Sequence, residues 1–369
     1  MTEWIECTLD KLGEIVGGAT PSTKCEDYYG GSIPWITPKD LSSFKGRYIT
    51  SGERNITEKG LASCSAQMMP KDAVLFTSRA PIGYVAIASQ SVCTNQGFKS
   101  IVVNDKADPL FVYYLLKYNK DAIEAMGSGT TFKEVSGKTM RAVKVRIPLD
   151  VSYQKRIAAV LDSLDTKIEN NERINDNLQQ QAQAIYSSMF IDNPDPAWSH
   201  GHLSDLITVK YGKDHKKLDD GIYPVYGSGG IMRYVERPLY NKESVLIPRK
   251  GTLNNVMYVN QPFWSVDTMF YTEMKLPNVA KFVYHFVKAK DLASMNAGSA
   301  VPSMTTDILN AMEVVIPSAS ALEEFESLVA PMYEAMEAND VQSKALSQIR
   351  DTLLPKLMSG EIDVSDVQL

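Results

Sequence analysis

At 369 residues the chain is long enough for two or three domains with cores of their own. Hydrophobic residues make up 44% and charged residues 22%, the balance of a globular protein, and no run of about 18 apolar residues offers a membrane span. The net charge of −6 argues against a nucleic-acid binder only until it is divided: residues 1–148 carry 18 − 15 = +3, and residues 318–369 carry 3 − 10 = −7.

The N-terminus, MTEWIECTLDKLGEIV, lacks the basic-then-apolar layout of a secretory signal. Four cysteines, all within the first 93 residues and without a Cys-x-x-Cys pair, read as reduced thiols rather than a disulfide frame or a zinc site. A soluble cytoplasmic protein is therefore expected.

Along the first 148 residues, runs such as AVLFTS, YVAIAS and KSIVVN have strand character, and an amphipathic helix is predicted near 110–125. The segment closes on AVKVRIP at Pro148, and a long polar stretch with helical spacing follows. Two prolines in NPDPAW (Asn193–Trp198) stop that helix and begin a linker.

Beyond the linker the chain repeats itself. WIECTLDKL from Trp4 returns as WSHGHLSDL from Trp198, and VLFTSRAPIGYVAI from Val74 as VLIPRKGTLNNVMYV from Val245. FVYYLLK at Phe111 returns as FVYHFVK at Phe282, within a second helix predicted near 280–295, and AMEVVIP ends at Pro317 as AVKVRIP ended at Pro148. Several matching blocks in one order indicate duplication. Between the first two blocks the copies differ in length and chemistry: TPSTKCEDYYGGSIPWITPKDL against KYGKDHKKLDDGIYPVYGSGGIMRYV. The frame is shared and an insert is exchanged, which suits two modules that recognise different things, the alternative being plain drift of a loop.

Each copy runs into a heptad-like series. The first is Ile157, Leu161, Leu164, Ile168, Asn171, Asn175, Leu178, Ala182, Ile185 and Met189. The second is Phe325, Val329, Met332, Met336, Asn339, Ser343, Leu346, Arg350, Leu353 and Leu357, offset throughout by 339 − 171 = 168 positions. Two helices of roughly 50 Å each, at ~1.5 Å per residue, are expected to pack as an antiparallel coiled coil. Polar residues interrupt both series at their centres, which makes Asn171 and Asn339 candidate register markers, the alternative being a centre that is merely solvated or bridged by water. Gly360 is the predicted stop of the second helix, with a loosely held tail after it.

This order of module, helix, module, helix, together with IPWITPKDL, TSRAPIGYVAI, NQGFKSI, YPVYGSGGI and the RIP and VIP endings, resembles the specificity (S) subunit of Type I restriction-modification systems over essentially the whole chain. The resemblance implies an α+β fold of two duplicated target-recognition domains, at 1–149 and 192–317. It also implies two spacer helices, at 150–191 and 318–360, and a tail at 361–369. Each recognition domain would read one half of a bipartite double-stranded DNA site. The helices would set the gap and dock two modification subunits, which methylate adenine N6. Restriction subunits would cleave using ATP. S-adenosylmethionine, ATP and Mg would serve the complex, with no cofactor in this chain.

Reading DNA requires cations for phosphates and hydrogen-bonding groups for base edges. The candidates in the first module are Lys24, Lys39, Arg79, Ser128, Thr130, Thr131 and Lys133. In the second they are Lys213, Lys216, Lys217, Tyr226, Ser228, Arg233, Arg249, Lys250 and Ser299. Arg79 and Arg249 carry most weight because they follow matched strands, and an arginine there can grip guanine O6 and N7. Thr-Pro-Lys-Asp at 37–40 can equally be a turn without a ligand. On the helices, Val160, Ile174, Tyr186, Leu328 and Met358 lie off the seam and are candidates for partner docking, or padding for the joints between modules and helices.

No phosphate loop, dinucleotide fingerprint, Asp-Pro-Pro-Tyr methyltransferase motif or nucleophile motif is found. His200 and His202 lack a partner set for a metal. A non-catalytic recognition subunit is the leading expectation; a coiled-coil adaptor for proteins, or a restriction-methylation enzyme with an unrecognised active site, are the alternatives.

Overall fold

A computed structural model describes residues 2–79, 81–129, 133–295 and 303–367. The chain falls into two compact units, Met1–Arg173 with Asn339–Leu369, and Ile174–Ala338. The long helices predicted from the heptad spacing are Val151–Ser187, continued by a π-helical turn at Ser188–Asp192, and Ala319–Ser359. Each helix contributes one part to each unit.

The first unit contains β1 (Trp4–Thr8), β2 (Gly13–Gly17), β3 (Tyr29–Ile36), β4 (Tyr48–Ile49), β5 (Asn55–Ile56), β6 (Val74–Ser78), β7 (Ile82–Ala88), β8 (Cys93–Thr94), β9 (Lys99–Val103) and β10 (Lys144–Pro148). They form a five-stranded sheet in the order β2-β9-β6-β7-β4, a three-stranded sheet β5-β3-β8 and the pair β1-β10. The second unit contains β11 (Ser199–His202), β12 (Ile207–Tyr211), β13 (Asp220–Gly227), β14 (Gly230–Val235), β15 (Ser244–Pro248), β16 (Met257–Val259), β17 (Trp264–Ser265), β18 (Met269–Met274) and β19 (Glu313–Ile316). Its sheets are β12-β18-β15-β16, β14-β13-β17 and β11-β19. Among the described residues this is, position by position, the strand order of the first unit without β4. The RIP and VIP endings are the strands that pair antiparallel with the first strand of their own unit, Trp4 opposite Pro148 and Ser199 opposite Ile316.

The copies also share their close contacts. A side chain on Gly18 or Gly212 would collide with backbone carbonyls, of Thr94 and Asn95 in one unit and of Ser265 and Val266 in the other. The next residue donates its N–H to the same strand, Ala19 to Thr94 and Lys213 to Ser265. Its carbonyl accepts an indole N–H, from Trp35 at 3.0 Å in one copy and Trp264 at 2.9 Å in the other. These tryptophans come from different strands. Trp35 lies on β3 opposite Cys93 of β8, and Trp264 on β17 opposite Val225 of β13. The large residue and the small one have changed sides, so the volume is conserved while the sequence match is erased. Burial beside Cys64 pushes the Cys93 thiol up to about 12 and keeps it protonated.

Helices Pro109–Tyr118 and Ala280–Lys288, the FVYYLLK and FVYHFVK repeats, pack in the main core of each unit. Each meets the long helices through a buried polar joint. In the first unit Tyr114 donates to Asp165 at 2.7 Å, and Arg350 binds the other oxygen of that carboxylate at 2.7 Å. In the second unit His285 shares hydrogen bonds with Tyr333 at 2.9 Å and Gln183 at 2.8 Å. Lys281 reaches Glu326 at 2.6 Å and Glu243 at 3.2 Å.

The seam is antiparallel in both units: Asp165 faces Arg350, Asn171 faces Gln342 and Asn175 reaches the carbonyl of Met336. Asn171 is buried, and its amide also donates to Ser343 Oγ and the Asn339 carbonyl. Among the described residues its own Oδ1 accepts no hydrogen bond.

For two docking candidates the alternative, padding of the joints, holds, and the expectation of a loose tail needs correction. Tyr186 is buried among Phe190, Phe282 and His285, and Met358 is buried in the core of the first unit, so neither side chain is presented to a partner. Helical spacing places a residue on a face without saying what covers it, and here the modules cover both. Val160 is half-buried against its core, while Ile174 and Leu328 are exposed. The tail is tied down. Gly360, at φ +79°, ends the helix as predicted, with the N–H of Glu361 on the Lys356 carbonyl at 2.9 Å. Beyond it Val364 is buried, and Tyr153 donates to Asp363 at 2.9 Å.

Candidate nucleic-acid interface

In the first unit several candidates converge at the end of β6. Arg79 pairs by backbone bridge with Glu134, which also bridges Ser128. The Glu134 carboxylate lies 3.8 Å from the Arg79 guanidinium and 3.6 Å from the Lys99 ammonium. Exposed Lys133 precedes it in the chain. Arg79 keeps 36% of its side chain exposed, so this is a solvated cluster whose ion pairs are weak and exchangeable. Such a guanidinium can leave Glu134 for a phosphate or a guanine at little cost. Lys24 is exposed on a separate turn. Lys39 is also elsewhere, on the short helix Pro38–Ser42, and is held at 2.7 Å by Glu53. Asp40 accepts the N–H of Thr37 at 2.7 Å and of Glu53 at 2.8 Å, so Thr-Pro-Lys-Asp is a helix start with its hydrogen bonds internal. Thr130, Thr131 and Ser299 lie outside the described residues.

The second unit builds the same corner with different side chains. Backbone hydrogen bonds fix the correspondence. Ser78 donates to Gly97 and accepts from Val135, as Arg249 donates to Thr268 and accepts from Met304. Arg79 bridges Glu134 as Lys250 bridges Ser303. The counterpart of Arg79 is therefore Lys250, and Arg249 stands one residue earlier. Its guanidinium lies over the ring of Tyr211 at 5.3 Å, and that ring is 52% exposed, which makes a flat cationic shelf.

Ser228 is brought to this corner, because Asn255 donates to its carbonyl at 2.8 Å and a side chain on Gly251 would strike its hydroxyl. Lys213, Lys216 and Lys217 are exposed on the loop after β12. Asp214 holds that loop by accepting the Lys216 N–H at 3.0 Å, a bond that also lowers its carboxyl pKa. Two candidates are not presented. Tyr226 is buried against Phe263, and Arg233 is half-buried, spent on Asp220 at 2.7 Å and the Leu218 carbonyl at 2.9 Å. Both lie on strands whose inward face the local pattern, interrupted by a bulge, did not reveal.

Sequence reasoning passed over Tyr211, Lys99 and Glu134. A tyrosine at a strand end and a lysine opening a strand carry no local signal; only the strand pairing brings them beside the loop after β6 or β15.

A family model described as "Type I restriction modification DNA specificity domain" matches residues 1–180 and 197–325. The MjaIX Type I restriction enzyme specificity subunit of Methanocaldococcus jannaschii is 32% identical, over 99% of this chain and 95% of its own length. The EcoprrI specificity subunit of Escherichia coli is 22% identical, over 90% of this chain and 89% of its own. The crystal structure of a Type I system S subunit from M. genitalium superposes with a TM-score of 0.62 at 20% identity, covering 96% of each chain, and so shares the fold.

Proposed function

The chain belongs to the Type I restriction-modification DNA specificity family, and from that premise we propose how its two units divide the work. As a member it is the non-catalytic subunit that gives a Type I restriction-modification complex its DNA sequence specificity. In our reading each unit reads one half of a bipartite site, and the paired helices fix the gap and dock two modification subunits. Adenine N6 methylation from S-adenosylmethionine, and restriction driven by ATP and Mg, belong to the partner subunits.

One observation carries this reading: the units repeat a strand order yet place different side chains at the same corner, Arg79 with Glu134 in one, Arg249 with Lys250 and Tyr211 in the other. A shared frame suits two copies of one partner, and unlike corners suit unlike half-sites. On the helices, Ile174 and Leu328 supply exposed apolar surface for docking.

The test is to purify the chain with its modification subunit and map methylated adenines in cellular DNA. We expect one bipartite motif with a fixed gap. Methylation without sequence preference, or methyl transfer by the chain alone, contradicts the reading.

A further inference from the structure

The second unit carries an element that the first lacks among its described residues. β13 and β14 form a two-stranded ribbon whose tip, Ser228–Gly229, closes on the pair Gly227 and Gly230. At the same place in the first unit β3 meets only the two-residue β5, and the chain between them runs through helix Pro38–Ser42 and β4. Its edge strand, β14, leaves apolar side chains exposed: Ile231 is 43% exposed and Met232 61%. The register explains the exposure of Met232. Val225 pairs with Arg233 and Tyr226 with Ile231, so Met232 is the extra residue of a bulge, re-aimed away from the sheet. It folds over Gly227, where a side chain would come within 2.5 Å of its sulfur.

A large exposed apolar side chain on an edge strand is a liability unless it has a use. A surface that docked the modification subunit would recur in both units, because that partner is common to them; the ribbon does not recur. Its tip also abuts the cationic corner, through Ser228 beside Gly251 and the Asn255 amide, next to Arg249 on Tyr211. Within the ribbon the acid is Asp220, which pairs with Arg233 at 2.7 Å, while Asp219 and Glu236 meet at its base, the end away from the tip. Positive charge around an apolar ribbon matches a groove in which phosphates flank a methyl group. The major groove admits a two-stranded ribbon, and its apolar feature is the thymine C5-methyl.

We propose that the β13–β14 ribbon is the thymine-reading element of the second unit, entering the major groove of one half-site with Ile231 and Met232 against thymine methyl groups. This rests on the specificity-subunit reading and adds to it the base class that the second unit selects.

The experiment uses the complex of the full chain with its modification subunit and duplexes carrying its mapped site, with uracil replacing thymine one position at a time. Uracil keeps every hydrogen bond and lacks only the methyl. For the native complex the expected result is a loss of about fourfold in affinity per methyl removed, in one half-site only. Met232→Ala, or Met232→Ala with Ile231→Ala, abolishes that uracil penalty and leaves the other half-site unchanged. The proposal is overturned if uracil has no effect in either half-site, if the penalty survives in the double variant, or if the variants lose the modification subunit instead, which would make the ribbon a protein-docking surface. A native complex that binds every duplex equally would instead sink the specificity reading itself, before the ribbon is tested.

Discussion

Arg79 and Lys250 occupy one position of a repeated frame, yet each is surrounded by different chemistry. Arg79 shares Glu134 with Lys99, while Lys250 follows an arginine already stacked on Tyr211. Arg79→Ala should relax one base position of one half-site by about 1–3 kcal/mol, and Arg249→Ala or Lys250→Ala should do so in the other half-site only. Motifs of methylated sites read this directly; equal weakening on all sequences would make these residues phosphate contacts. The one-residue shift between Arg79 and Arg249 was legible in the sequence. With VLFTSRAP and VLIPRKG aligned at Val74 and Val245, Ser78 falls opposite Arg249 and Arg79 opposite Lys250, and the paired backbone atoms give the same match. The Trp35 and Trp264 exchange, by contrast, was hidden, since a cross-strand swap conserves volume and leaves no match along the chain. It makes a prediction: Trp35→Val should cost about 3–5 kcal/mol in chemical denaturation, and adding Cys93→Trp should recover part of it.

The elements that could be read ahead were those whose cause is local. The long helices follow from four-three spacing, the linker from two prolines, and the helix stop from Gly360, which alone tolerates φ +79° cheaply. What could not be read was which helix faces the modules cover, as Tyr186 and Met358 show. The joints were equally hidden. His285 is sealed between Tyr333 and Gln183, and burial, with Lys288 nearby, lowers its pKa from 6.5 to about 4. The fold thus holds it neutral while the unfolded chain binds a proton near 6.5. Stability from this site is fully present above pH 6.5 and is lost as pH falls from there through about 4. Thermal melts should show the second unit weakening across that window, with the dependence flattened in His285→Gln; an unchanged pH profile in the variant would mean that other groups control it. At the seam, buried Asn171 leaves its Oδ1 without a hydrogen bond among the described residues, the cost expected of a register marker. Asn171→Leu should raise the melting temperature and broaden the distribution of gaps between methylated half-sites.

For the molecule as a whole, the central claim is that unlike modules choose the letters while the paired helices choose the distance between them. The acidity concentrated in 318–369 lies largely on the second of these helices, and the modules carry the cationic corners, which separates the two duties in charge as well as in sequence. Length and letters should therefore change independently. The most direct measurement inserts one heptad into each long helix at the Asn171–Asn339 level and maps methylated adenines in cells that also express the modification subunit. One heptad adds ~10 Å at ~1.5 Å per residue, about three base pairs of DNA. Both half-site sequences should be unchanged and the gap longer by two or three base pairs; an unaltered gap, or new letters in either half, would contradict the account.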